Sequence, residues 1–494
     1  MEKINLNEAN IPKIAQKVDS PTYDRPLLKE GIIHIGVGGF HRSHQAYYIH
    51  QMIEKFGAHN WAICGVGLRE ADRKMASTLR DQDYLYTLIT QYPNGNIENK
   101  IIGSITEYLL AVDNTQAVID KMAHPDTKIV SLTITEGGYN FNPNTGEFNF
   151  QNPDIQHELN HPNEPRTVYG YLTAALKKRY DNGIPPFTIL SCDNIQHNGD
   201  MIRKMLLAFS QKQDSTLSQW IEAKVAFPNS MVDRITPFTT DELRTYLQIQ
   251  YDVIDNWPVV CEPFIQWVIE DKFSNGRPEL EKLNVQFVPD VTPYEKMKIR
   301  LLNAGHSTLG IPGAIHGHPT IDQCMNDEVF RDFLRAFMDT EVTPILGKIE
   351  GIDVEKYKDT LEERFANANI KDSVSRICSE SSAKLPKFLI PTIQENLENG
   401  GPIQYATFLL AAWCYYSDKG QDENGQPIKI IDAQKIELHE ASKHTESNWT
   451  SFLKLRDIFG DLTENEIFIK EYTHHVQAIY TEKNIRKLMG ELLE

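Results

Sequence analysis

Lys298, Asn303 and His306 in YEKMKIRLLNAGHS (294–307) place an amine, an amide and an imidazole at i, i+5 and i+8 of a run rich in helix formers, between Pro293 and Gly310. At about 100° per residue the three side chains fan over about 140° of one helix face. Glu295 falls on the same face, between Lys298 and His306. Such a set supplies a base, an oxyanion donor, an orienter and a proton relay, which is what removing a hydroxyl proton requires. The same pattern also describes a solvated polar stripe on a surface helix, and taken alone that is the commoner meaning. The other end of the chain shifts the balance.

There, EGIIHIGVGGFHRSHQAYYIHQMIEKFG (30–57) opens with an apolar run that stops at Gly36, and Gly38 and Gly39 crowd the turn. Ala46, Ile49, Met52 and Ile53 then follow at helical spacing. A glycine turn between strand and helix lets backbone N–H groups approach a pyrophosphate at the positive helix end. The match to GxGxxG is incomplete, because His41 occupies the third glycine's place. Arg42, just past the turn, is either a phosphate clamp or a surface arginine. A second strand, WAICGVG (61–67), follows as a βαβ unit requires, and Glu70 and Asp72 are the candidate ribose-binding acids. They favour NAD, while the adjacent Arg69 keeps the 2′-phosphorylated cofactor, NADP, open.

These sites need elements to hold them. The chain has 494 residues, enough by length alone for about three domains. Its texture nevertheless divides it in two. Up to about residue 290, β-rich runs (IIHIG, WAICGVG, YLYTLIT, KIVSLTITE, FTILSCDN, VAFPNSMV, VVCEPF, VQFVP) alternate with helical segments. That alternation predicts an α/β fold with a doubly wound, mainly parallel sheet over 1–290. The stretches 140–165 and 272–278 read as surface excursions. Over 291–494 the period becomes 3.6, as in DEVFRDFLRAFMDT and PIQYATFLLAAWCYY, predicting a mostly α-helical second domain. Ligands of open α/β sheets bind outside the carboxyl ends of the strands. The helix starting near 293 is expected to bring Lys298 there.

A net charge of −18 argues against non-specific nucleic-acid or anionic-membrane partners. The N-terminal MEKINLNEANIPKI lacks a signal-peptide core, and the longest apolar stretch (406–416) is too short to span a bilayer. A cytoplasmic location is the expectation. The six cysteines show no C-x-x-C spacing and read as buried thiols. No ligand spacing of a zinc site stands out, so the chemistry is expected to proceed without a metal.

Taken as an ordered set, GIIHIGVGGFHRSHQAYY, SLTITEGGY, SCDNIQHNGD, FPNSMVDRITP, CEPFIQWVIED and YEKMKIRLLNAGHS resemble the polyol-specific long-chain dehydrogenases, most closely those acting on mannitol. The resemblance runs from about residue 28 into the C-terminal region. It implies a Rossmann-type domain followed by a helical one, NAD or NADP as cofactor, no zinc, a small polyol or ketose as substrate, and a monomer. It puts the base on Lys298, the oxyanion amides on Asn194 and Asn303, the substrate-orienting histidine on His306, and the proton exit on Glu295. Arg376 and Lys384 in RICSESSAKLPKF match residues contacting substrate hydroxyls, although ESSAK departs from the more usual DGSxK. Asp233 is a further substrate candidate, with an ion pair to Arg234 as the alternative. The turn Gly38, Gly39, Phe40, His41, Arg42 is how the family writes its cofactor loop, and Asp72 matches the acid that selects NAD.

A free lysine, with a pKa of about 10.4, is a poor base at neutral pH; burial and a cationic nicotinamide would lower it. The expected reaction interconverts D-mannitol and D-fructose. Fructuronate reduction and D-arabinitol oxidation, by members sharing these motifs, are the alternatives. A catalytically silent NAD sensor would show a degraded 298–306 set, which this chain does not. Tyr294 and Lys298 also spell the Tyr-x-x-x-Lys of short-chain dehydrogenases, but they stand 255 residues beyond Gly39, too far for that unit.

Overall fold

Apolar runs that are continuous rather than alternating make strands buried on both faces. In the computed structural model, which describes residues 3–142 and 145–494, four such runs and the more polar edge strand ITEYLL form one parallel sheet. In chain order the longer strands are β1 (Glu30–Ile35), β2 (Ala62–Gly67), β3 (Tyr86–Gln91), β4 (Ile97–Ile102), β5 (Ile105–Leu110), β6 (Ile129–Leu132), β7 (Thr188–Ser191), β8 (Ser230–Asp233), β9 (Val259–Cys261), β10 (Gln266–Glu270) and β11 (Gln286–Val288). The central sheet runs β5-β2-β1-β6-β7 with every pair parallel. The chain winds outward from β1 to β5, then returns to β6 on the other side. The order therefore reverses beside β1, the topological switch point at which such sheets bind ligands.

Period-two alternation sends neighbouring residues of each strand to opposite cores. Ile33, Ile35, Cys64, Val66, Val130 and Leu132 pack under helices that include Val168–Asp181 and Asn198–Gln213. Ile32, Ile63, Ile129 and Leu190 pack with Ala46, Ile49, Met52 and Ile53 of Gln45–Phe56. Three smaller sheets complete the unit: β9-β3-β4, β11-β10-β8 with β10 antiparallel to β8, and the short pair Ile4–Asn5 with Val253–Ile254. Three strands, β4, β5 and β10, were not expected from the sequence. Their Glu, Asn, Lys and Gln residues interrupt the apolar pattern.

The first unit comprises Met1–Tyr92 and Asn96–Val291; the second comprises Thr292–Glu494 with the turn Pro93–Gly95. The second unit is helical. Its organising element is one continuous rod: α-helix over Thr292–Met297, π-helix over Lys298–Asn303, and α-helix over Ala304–His316. Gly310, expected to end the helix, instead lies inside it. A Cβ there would meet Ile377 Cγ2 at 2.9 Å, and one on Gly313 would meet Cys324 Sγ at 2.5 Å. These glycines buy close packing for a helix buried from Ala304 to Ile315, even with Pro312 in its interior. All six cysteines are free and buried. No helix among the described residues is long and apolar enough to cross a membrane.

Candidate active site

The rod in the second unit carries the chemical residues. Glu295, Lys298, Asn303 and His306 are between 4% and 9% exposed, so they are no solvated stripe. The helix changes pitch where they lie. Ala304 N–H donates back to Ile299 O, an i→i+5 bond, so residues five apart come close to one line along the axis. The π-turn thereby brings Lys298 and Asn303 nearer in azimuth than the 140° that a regular helix would give. The rod's other two cations face elsewhere: Lys296 and Arg300 both pair with Glu395, Lys296 at 2.6 Å. The His306 ring packs on Phe365 with centroids 4.2 Å apart, which fixes the plane of the imidazole. Tyr294 spends its hydroxyl on Glu350 O at 2.7 Å, which removes it from any Tyr-x-x-x-Lys role.

Two other candidates in this unit sit differently from each other. Lys384 is half-buried and donates to Ile377 O at 3.2 Å; burial, and then the charge of Arg376, hold its pKa below the ordinary lysine value. Arg376 is exposed and forks onto Asp372, with Nε 2.6 Å from Oδ1.

In the first unit the glycine turn caps β1. Gly36 has φ +93, and a Cβ on it would lie 2.1 Å from Thr133 O, so only glycine fits. Gly38 is extended, with its nearest neighbour 3.9 Å from a built Cβ, leaving open space over the backbone. That cradle is what close approach of a phosphate requires. Gly39 opens the short helix Gly39–Ser43, and Phe40 stacks on His44 at 4.9 Å. His41, in the third glycine's place, lies flat on His34 with centroids 3.5 Å apart. His34 is held by Ser131 and Thr133, and burial drives its pKa down to about 3. A neutral imidazole stack thus does the close packing that glycine does elsewhere.

Arg42 is not the surface arginine that the motif also allowed. It is 1% exposed, lies over the Tyr86 ring, and donates to Gly38 O and Trp257 O. With its side chain spent on carbonyls, it braces the turn from behind. Of the two acids after β2, Glu70 is exposed and forked onto Arg73. Asp72 packs at the strand end, where a Cβ on Gly67 would meet its own Cβ at 2.7 Å, and it accepts from Arg69 N at 2.9 Å. The turn and Asp72 together fit a dinucleotide.

Asn194 follows β7 and is exposed; Asp233 closes β8 and is 4% exposed. Arg234 donates to Glu262 O and Ser43 O and covers Tyr47. Sequence reasoning missed Asp193, beside Asn194. It accepts from Ile134 N (3.0 Å), Thr135 N (2.8 Å) and Tyr139 Oη (3.0 Å), tying TEGGY to SCDN across a turn in which Thr135 has φ +58. Burial raises its pKa to about 6. The signal available was the pair of motifs at neighbouring strand ends. Also passed over was a cluster of His316, His318 and Asp327 with metal-ligand spacing.

Comparison with known proteins matches residues 30–282 to the model for the mannitol dehydrogenase Rossmann domain and 290–480 to that for the mannitol dehydrogenase C-terminal domain. The chain is 46% identical over 484 residues to mannitol 2-dehydrogenase of Aspergillus fumigatus, covering 96% of each. Among solved structures it resembles Pseudomonas fluorescens mannitol 2-dehydrogenase, solved as a ternary complex with NAD and D-mannitol (TM-score 0.89, 44% identity, 99% of each chain). It also resembles a substrate-free D-sorbitol dehydrogenase (TM-score 0.91, 35% identity, 98% of this chain and 100% of the other).

Proposed function

Because the chain belongs to the mannitol dehydrogenase family, we propose that it interconverts D-mannitol and D-fructose with Lys298 as general base and acid. It is an NAD-dependent polyol dehydrogenase. When bound, the nicotinamide supplies the acceptor for the carbinol hydride. The observation that carries the residue assignment is the burial of Glu295, Lys298, Asn303 and His306 on one rod whose pitch changes at the lysine.

Gly36, Gly38, Gly39 and Phe40 would hold the dinucleotide at its phosphates, and Asp72 would hold the adenosine ribose, which favours NAD over NADP. Lys298, as the uncharged amine, takes the hydroxyl proton in oxidation and returns it in reduction. The carboxamide of Asn303 donates to the developing alkoxide, a contribution of about 3 kcal/mol for such a donor, and Asn194 is assigned the second amide. His306, its ring plane fixed by Phe365, orients the hydroxyl without acting as the base. Glu295, three residues before the lysine on the same rod, passes the proton on to water. Lys384, Asp233 and Arg376 are assigned to substrate hydroxyls, Arg376 with its Nε and Nη2 held by Asp372. No step assigned to these side chains calls for a metal.

Mixing the protein with NADH and fructose, and following loss of reduced-cofactor absorbance, tests the substrate pair. Faster turnover of fructuronate or xylulose would move the assignment to the uronate or the arabinitol branch of the family.

A further inference from the structure

At the far end of the rod, three metal-ligating side chains converge. His316 is the last residue of Ala304–His316, and Gly317 (φ +101) reverses the chain so that Gly317 N and His318 N both close on Gly313 O. The two imidazoles end with centroids 4.9 Å apart. Asp327 caps the helix Glu328–Phe337 through Oδ1 and offers Oδ2 at 4.0 Å from His318 Nε2. One ligand atom from each residue lies within 4.8 Å of the other two.

We propose that His316, His318 and Asp327 bind a zinc-like divalent cation that fastens the helical unit. Two imidazoles and a carboxylate suit Zn²⁺ and its transition-metal neighbours, not Mg²⁺ or Ca²⁺. His316 is prepared for that role. Its Nδ1 is 2.9 Å from Glu423 Oε2; in the neutral ring with the proton on Nδ1, Nε2 carries the lone pair. His318 Nε2 makes no hydrogen bond, so that nitrogen is available to a ligand. A hollow of about 540 Å³ lined by His318, Gln323, Asn326, Asp327, Glu328 and Arg486 gives a route of entry. It also offers Glu328 or water as the fourth ligand. Ligands of a tetrahedral zinc lie about 3.3 Å apart, so side chains whose ligand atoms lie within 4.8 Å must close by up to about 1.5 Å. Arg486 opposes the cation, because its Nε donates to Asp327 Oδ2 at 2.7 Å.

The site lies about 15 Å along the helix from His306, so its role is mechanical. One ion on His316, His318 and Asp327 would join the rod's end to the helix Glu328–Phe337.

The test is calorimetric titration of the chelator-stripped, full-length chain with ZnCl₂ and, separately, MgCl₂, alongside the visible spectrum of a Co²⁺ titration. One equivalent of Zn²⁺ should bind, Mg²⁺ should not, and Co²⁺ should give tetrahedral d–d bands. His318→Ala should weaken binding at least ten-fold, while Arg486→Gln, which keeps all three ligands, should tighten it. Zinc should raise the thermal midpoint of the parent by about 5 °C, and not that of His318→Ala. Absence of saturable zinc binding, equal affinity in His318→Ala, or no gain in Arg486→Gln would each overturn the proposal.

Discussion

Replacing Gly36 by alanine separates the cradle from the rest of the fold. The new Cβ would stand 2.1 Å from Thr133 O, and ordinary contact begins at 3.4 Å, so the turn must move by about 1.3 Å. Three hydrogen bonds resist that movement: Gly36 N to Val66 O (3.0 Å), Thr133 N to Ile35 O (3.0 Å) and Thr133 Oγ1 to Gly36 O (2.6 Å). A positive φ costs an alanine about 1–2 kcal/mol, and losing two of the three bonds costs about 1 kcal/mol each. The expected destabilisation is therefore about 3–4 kcal/mol, read from chemical denaturation. A turn displaced by more than 1 Å also forfeits about two N–H contacts to the cofactor phosphates, weakening NADH by about 30-fold in a fluorescence titration. Gly38→Ala is the counterpart. Its backbone is extended and its Cβ meets nothing closer than 3.9 Å. Stability should stay within about 0.5 kcal/mol while NADH affinity falls, because the methyl enters the phosphate's space. Parental stability and affinity in Gly36→Ala would refute this reasoning.

Glu341 is buried beneath the start of Gln404–Lys419, accepting from Tyr405 N (2.7 Å) and Ala406 N (2.9 Å), and burial raises its pKa from 4.5 to about 8. A raised acid stabilises the fold fully below its unfolded pKa and loses that contribution as pH climbs through the folded one. Glu341→Gln should therefore gain on the parent between pH 5 and about pH 8; a melting-point difference that is flat with pH, or falls, would contradict it. Asp193→Ala leaves two backbone N–H groups without their acceptor and the Tyr139 hydroxyl with Ser191 Oγ alone. It should cost about 2–4 kcal/mol in urea unfolding, and a loss under about 0.5 kcal/mol would show that the TEGGY turn is held by something else.

The fold was legible wherever apolar runs were unbroken. IIHIG, AICGVG, KIVSL and FTILS all became central strands, because a strand covered on both faces has no polar face to disguise it. IENKII and ITEYLL were missed because each leaves a face partly exposed and fills it with charge. The helical second half followed from its 3.6-residue period, but the π-turn at Lys298–Asn303 did not. Pitch depends on what packs around a helix, and no residue type announces it. Gly310 misled for a similar reason, since a glycine that ends a helix and one that admits a neighbour look alike in sequence. Among site residues, the glycine turn and the 298–306 set were visible as motifs. The burial of Arg42 was not, because its carbonyl partner Trp257 lies 215 residues away. The bracing carboxylate of Asp193 and the His316–His318–Asp327 cluster escaped for the same reason: their partners come from separate elements.

The central claim is that a buried amine on the helical rod moves the proton. Single-turnover reduction of fructose by Lys298→Ala, measured beside NADH binding to the same variant, tests it most directly. NADH affinity should remain within about two-fold, while turnover falls by about 10²–10⁴ and recovers in part when a small primary amine is added. Turnover near the parental rate, with NADH bound normally, would remove the lysine from the mechanism.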